Sequence, residues 1–105
     1  MTKVIFTVDG GLICGFEMSG HSDYSEEGSD IVCSALSSAA IMAANTITEV
    51  QKIDAQITEG DGYLKLSVSP EQARQARVTL DGLLLHFSAL SQEYKQFIKI
   101  QISEV

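Results

Sequence analysis

The chain has 105 residues, 45% apolar and 20% charged, with a formal net charge of −7. That is enough for one hydrophobic core without metal or disulfide staples, and the proportions are those of an ordinary globule. Its Lys and Arg residues are scattered, which excludes the basic stripe that a phosphate backbone requires, so no nucleic-acid partner is expected.

Neither a signal peptide nor an apolar run of bilayer-spanning length is read in the chain, and no membrane partner is expected. The two cysteines, Cys14 and Cys33, are accordingly expected as reduced thiols in a cytoplasm. The acidic balance suits solubility, and it also suits steering of a basic partner.

Residues 2 to 8 alternate with a period of two and predict a strand. Asp9-Gly10-Gly11 is turn chemistry, and a second strand follows with Leu12, Cys14, Phe16 and Met18 on one face. Cys14 is thereby expected in the core, as a small hydrophobe. From Ser19 to Ser29 the pattern gives way to a polar loop. Ser29 is the expected N-cap of a helix over residues 30 to 50, with Asp30 complementing its dipole. Val32, Leu36, Ala39, Ala40, Ala43 and Ile47 recur at helical spacing along it.

Two more strands, over 53 to 59 and 63 to 68, flank the turn Gly60-Asp61-Gly62. Ser69-Pro70-Glu71-Gln72 carries the marks of a helix start, and Ala73, Ala76, Leu80, Leu83, Leu84, Phe87 and Leu90 give that second helix its apolar face. A last strand runs from Phe97 to Ser103. The order ββαββαβ predicts a single domain over residues 1–105. Its class is α+β, a mostly antiparallel sheet with two helices packed on one face.

The chemistry concentrates between Gly20 and Ser37. A helix capped at Ser29 puts Cys33 at the end of its first turn, where unpaired N–H groups favour a thiolate and can hold an oxyanion. His21, carried back by the loop, would take the thiol proton and return it to a leaving amine. On residue types alone a second reading stands beside this one, in which Cys33 packs and His21 is solvated. Asp30 either orients His21 or serves the helix N-terminus. Ser37 lies one turn beyond Cys33 on the same face and either meets the thiol or bonds its own helix. Gly20 and Gly28 bound the loop as hinges. His86 reads as a partly exposed helical histidine. A zinc site from His21, Asp30, Cys33 and His86 lacks close-spaced ligand pairs, and no metal or other cofactor is expected.

Gly20-His21, a spacer with Tyr24, and Gly28-Ser29-Asp30-Ile31-Val32-Cys33-Ser34-Ala35-Leu36-Ser37 together resemble the signature of the ribosomal-processing cysteine protease (Prp) family. Length and element order are similar over essentially the whole chain. The resemblance implies an endopeptidase that removes the N-terminal extension of the precursor of large-subunit ribosomal protein twenty-seven, cutting after paired phenylalanines. It implies Cys33 as nucleophile, His21 as general base, and Gly20, Gly28, Asp30 and Ser37 as motif positions near the site. A homodimer with a mobile loop over residues 21 to 28 is implied as well. The competing classes are a non-catalytic ribosome-assembly adaptor that binds the same precursor, and a thiol redox sensor using Cys33.

Overall fold

The computed structural model describes residues 1–20 and 27–105, with the side chains of residues 27–30 left out. Strands β1 (Thr2–Asp9) and β2 (Leu12–Ser19) form a hairpin, followed by helix α1 (Glu27–Asn45) and a π-helical turn (Thr46–Val50). Strands β3 (Gln56–Gly60) and β4 (Tyr63–Ser67), helices α2 (Pro70–Gln75) and α3 (Arg77–Glu93), and strand β5 (Ile98–Glu104) complete the chain. The sheet order is β3-β4-β2-β1-β5. Neighbours are antiparallel except β1 and β5, which run parallel because a helical crossover delivers β5 to the β1 edge. This is the expected α+β fold with its ββαββαβ order, the second helix being divided.

One face of the sheet carries Val4, Phe6, Phe16, Met18, Leu64 and Leu66 into a core shared with Val32, Leu36, Ala40, Ala43, Ala44 and Ile47 of the first helical segment. Leu80, Leu83 and Phe87 of α3 close it. Phe6 meets Phe16 and Phe87 at ring-centroid distances of 6.0 and 6.1 Å. Phe6 and Phe87 are fully buried, and each is worth about 1.5–3 kcal/mol as area removed from water. The other face is mixed, with Lys3, Glu17, Lys65 and Ser67 beside the partly exposed Ile5 and Tyr63.

Local chemistry explains the element ends. Gly10 and Gly11 both take positive φ (60° and 83°), the conformation that a two-residue hairpin turn demands. Ser69 and Gln72 form a reciprocal capping box with bonds of 3.2 and 2.9 Å, and Pro70 follows the cap. The Thr46 and Thr48 hydroxyls donate back to Met42 and Ala44 carbonyls, and the Gln51 N–H reaches Thr46 O at 2.8 Å, five residues back. That wider turn ends the long helix before Lys52, which holds φ at 58°.

Four expectations are corrected. The Ser69 helix does not run unbroken, since Ala76 (φ −93°, ψ 5°) separates α2 from α3. Ile31–Val50 is 20 residues long and apolar enough to cross a membrane by length and composition, contrary to the reading that no such run exists. In the fold its inner stripe, Val32 through Ile47, packs on the sheet. Cys14 is not in the core. Thr7 pairs with Gly15 and Val8 with Ile13, so Cys14 is the extra residue of a β-bulge. The bulge turns Ile13 inward, where it is 6% exposed, and leaves Cys14 partly exposed with its thiol donating to the Thr7 carbonyl at 3.5 Å. Finally, α1 begins at Glu27, so Ser29 lies within its first turn instead of capping it.

Candidate active site

Cys33 reaches solvent because of where α1 lies. The helix buries Val32 and Leu36 against the sheet, which turns Cys33, Ser37 and Ile41 to its flank at successive four-residue steps. Facing that stripe is the turn end of the β3–β4 hairpin. Glu59, Gly60, Gly62, Tyr63 and Leu64 form the second wall, and Met18 and Gly20 of the β2 end complete a cleft of about 200 Å³. Cys33 and Ser37 are both partly exposed there. The Ser37 hydroxyl has no hydrogen-bond partner among the described residues, so the back-bonding considered for it is made by Thr46 and Thr48 instead.

Glycine at position 20 has a local cause. Its φ is +98°, and a Cβ there would stand 2.5 Å from the Met1 carbonyl oxygen. Its N–H donates to the Gly62 carbonyl at 3.1 Å, tying the β2 end to the hairpin turn that faces Cys33. Tyr63, on the same wall, donates its hydroxyl to the Glu17 carboxylate. That bond, with burial and the charge of Glu17 behind it, pushes the phenol's pKa up.

Several placements differ from those expected. Cys33 is the seventh residue of α1, in its second turn. The unpaired N–H groups belong to the first four residues, and the dipole's influence falls off over the first turn, so Cys33 sits beyond both. Gly28 lies in the helix and not in the loop it was expected to close. Asp30 is in the first turn, as anticipated, and its side chain lies outside the described residues. So does the whole of His21, together with the rest of residues 21–26. His86 lines a different cavity, an apolar groove of about 680 Å³ between α1 and α3, with Ala35, Met42, Val78 and Leu83. It therefore shares no site with Cys33, and among the described residues no three His, Cys, Asp or Glu side chains converge on a metal position.

A family signature described as "Cysteine protease Prp" matches residues 1–99. The chain belongs to the Prp cysteine protease family. It is 26% identical over 94 residues to the ribosomal processing cysteine protease Prp of Bacillus subtilis, covering 84% of each chain. To the Staphylococcus aureus Prp it is 26% identical over 103 residues, covering 95% of this chain and 97% of that one. Two solved S. aureus structures superpose closely. Prp in complex with a substrate peptide gives a TM-score of 0.84 at 24% identity, and Prp with a covalently linked product peptide gives 0.81 at 25%; each match covers 98% of this chain and 100% of the other. The chain is thus a cysteine protease by family, and Cys14, in its bulge, and Cys33, in the cleft, are the two thiols from which its nucleophile must come.

The second wall of the cleft was missed in the sequence. Gly60-Asp61-Gly62 signals a hairpin turn, and nothing local in those residues says that the turn will stand opposite the thiol. The glycine at position 60 was the available clue, because a wall that a peptide backbone approaches favours residues without side chains.

Proposed function

We propose that this Prp-family protease removes the N-terminal extension of the precursor of large-subunit ribosomal protein twenty-seven, with Cys33 as nucleophile and His21 as general base. The observation that carries this reading is the seating of the Cys33 thiol in an open cleft, while the other thiol is held on a strand bulge by the Thr7 carbonyl. The imidazole of His21 takes the thiol proton, and the thiolate attacks the scissile carbonyl carbon. The imidazolium then returns the proton to the departing amine, leaving a thioester. Water, deprotonated by the same imidazole, attacks that thioester and frees the carboxylate product and the thiol. A covalent enzyme–peptide stage of this kind agrees with the covalently linked product peptide of the S. aureus relative.

Ser37 is proposed to touch bound peptide from the first wall, and Asp30 to serve the helix N-terminus. Gly20 shapes the cleft, and Gly28 gives the helix start a residue without a side chain. The protein is proposed to work as one domain, as a homodimer and in the cytoplasm, without cofactor, nucleic-acid or membrane partner.

The test is hydrolysis of a peptide copying the extension with its paired phenylalanines. Cleavage lost in both Cys33→Ala and His21→Ala supports the dyad. Tight binding without cleavage would move the protein to the adaptor class. Peroxide oxidation of Cys33 with no peptide turnover would move it to the redox class.

A further inference from the structure

The cleft beside Cys33 is chemically lopsided. Among the described residues its lining comprises a thiol, the Ser37 hydroxyl, apolar side chains, the backbone of Gly60, Gly62 and Tyr63, and a carboxylate, Glu59, the Tyr63 hydroxyl being turned to Glu17 on the other face of the sheet. None of the chain's Lys or Arg residues lines it. Lys65, close in sequence, pairs across the strands with Glu17 and Thr58 on the opposite face of the sheet. Glu59 pairs with Leu64, whose side chain enters the core, so register aims the carboxylate toward the helix side, where Cys33 lies. A solvated glutamate on an edge strand needs no partner. One placed on the wall of a nucleophile's cleft, in a chain of net charge −7, sets the sign of the peptide that can settle there.

We propose that Glu59 is a specificity-determining residue of this protease, recognising a lysine or arginine side chain close to the scissile bond of the bound peptide. The proposal rests on the proteolytic reading of the Cys33 cleft and supplies that reading with a substrate chemistry. Cys33 and Ile41 lie eight residues apart on α1, a wall of about 12 Å. At about 3.3 Å per residue this wall spans three to four residues of extended peptide. The basic residue therefore falls within four positions of the cut. Asp61, two residues beyond Glu59, sits at the exposed turn outside the cleft lining and serves as the control for the general acidic field.

The experiment uses the full chain and acetylated, amidated peptides with paired phenylalanines. Each carries one lysine, or norleucine in its place, at successive positions up to four residues on either side of the cut. At one position the wild type should favour lysine by about threefold to fivefold in kcat/KM, the range of a solvent-accessible ion pair. Glu59→Gln should bring that ratio close to one, Glu59→Lys should carry it below one, and Asp61→Asn should keep it. The same ratios, read as Kd on the Cys33→Ala variant by fluorescence anisotropy, make the outcome independent of turnover. Binding that keeps the Glu59-dependent preference while the wild type cleaves nothing would overturn the proteolytic reading and leave the cation site standing. Absence of lysine preference at every position would overturn the proposal. So would a preference that survives Glu59→Gln or disappears in Asp61→Asn. A uniform fall in kcat for lysine and norleucine peptides alike in Glu59→Gln would overturn it too, and would place the carboxylate in the catalytic machinery.

Discussion

The two cysteines make the instructive comparison, because one residue type has been given two environments by two kinds of element. Cys14 occupies the extra position of a bulge in β2, with its thiol donating to a backbone carbonyl and with Thr7, Gly15, Glu17 and Lys65 around it on the open face of the sheet. Cys33 occupies the flank of a helix whose inner stripe is core, and it looks into a cleft. Neither position is deeply buried, so exposure does not separate them. Each also borders a hollow, of about 270 Å³ for Cys14 and about 200 Å³ for Cys33, so what separates them is the setting: the bulge engages its thiol with the Thr7 carbonyl on one face of the sheet, whereas the helix flank sets its thiol across a cleft from a hairpin turn.

The largest effect that would break this comparison is on turnover. Cys33→Ala should lower kcat by about 10⁴-fold or more, as loss of a covalent nucleophile does, while Cys14→Ala keeps most of the activity in the same peptide assay. The reverse result would exchange the roles of the two thiols.

Next in size is the backbone beside the bulge. A Cβ on Gly15 would collide with the Leu66 carbonyl oxygen, so Gly15→Ala should force β2 and β4 apart and destabilise the fold by about 1–3 kcal/mol. Urea denaturation reads this directly, and an unchanged midpoint would refute the close approach. Gly20→Ala, which adds a backbone clash to a positive φ at the cleft, should destabilise to a similar degree and reduce cleavage as well. The conservative Cys14→Ser should cost less than about 1 kcal/mol, because a hydroxyl can keep the donation to Thr7 on this half-open face.

The smallest effect is on titration. Burial, then the charge of Asp9, hold the Cys14 thiol above its ordinary pKa, with a backbone hydrogen bond opposing them. In a Cys33→Ala background the remaining thiol should therefore need a higher pH for alkylation than a free cysteine, and Asp9→Asn should lower that pH. The sign for stability follows from the same shift. The folded state favours the neutral thiol, so this contribution is complete below the unfolded pKa and is lost as pH rises through the raised folded value.

Much of the architecture was legible because it rests on local chemistry. The Gly10-Gly11 turn, the Ser69 capping box and the alternation of Val4 and Phe6 each state their structure within a few residues. The places where the reading slipped are those where a neighbour decides. Cys14 alternates perfectly with Phe16 and Met18, and only pairing with β1, which skips a residue at Thr7/Val8, shows that Ile13 is the one turned inward. Ser29 has the chemistry of a cap, yet the helix begins before it. Within the candidate site, the Gly20–Ser37 stretch pointed to Cys33 and Ser37, which share the cleft as their spacing implies. It was silent on Glu59, Gly60, Gly62 and Tyr63, because they come from a hairpin more than twenty residues away in the chain.

What the order of amino acids determined by itself is the family, the succession of elements and the identity of the two thiols, since periodicity, turn residues and motif spacing are properties of neighbouring positions along one chain. Tertiary structure decided what each thiol faces, a sheet surface for Cys14 and a hairpin turn across a cleft for Cys33. A cleft has two walls, and here helix α1 and the β3–β4 hairpin meet only when the sheet order β3-β4-β2-β1-β5 lays the hairpin beside β2 and the helix packs its apolar stripe over them.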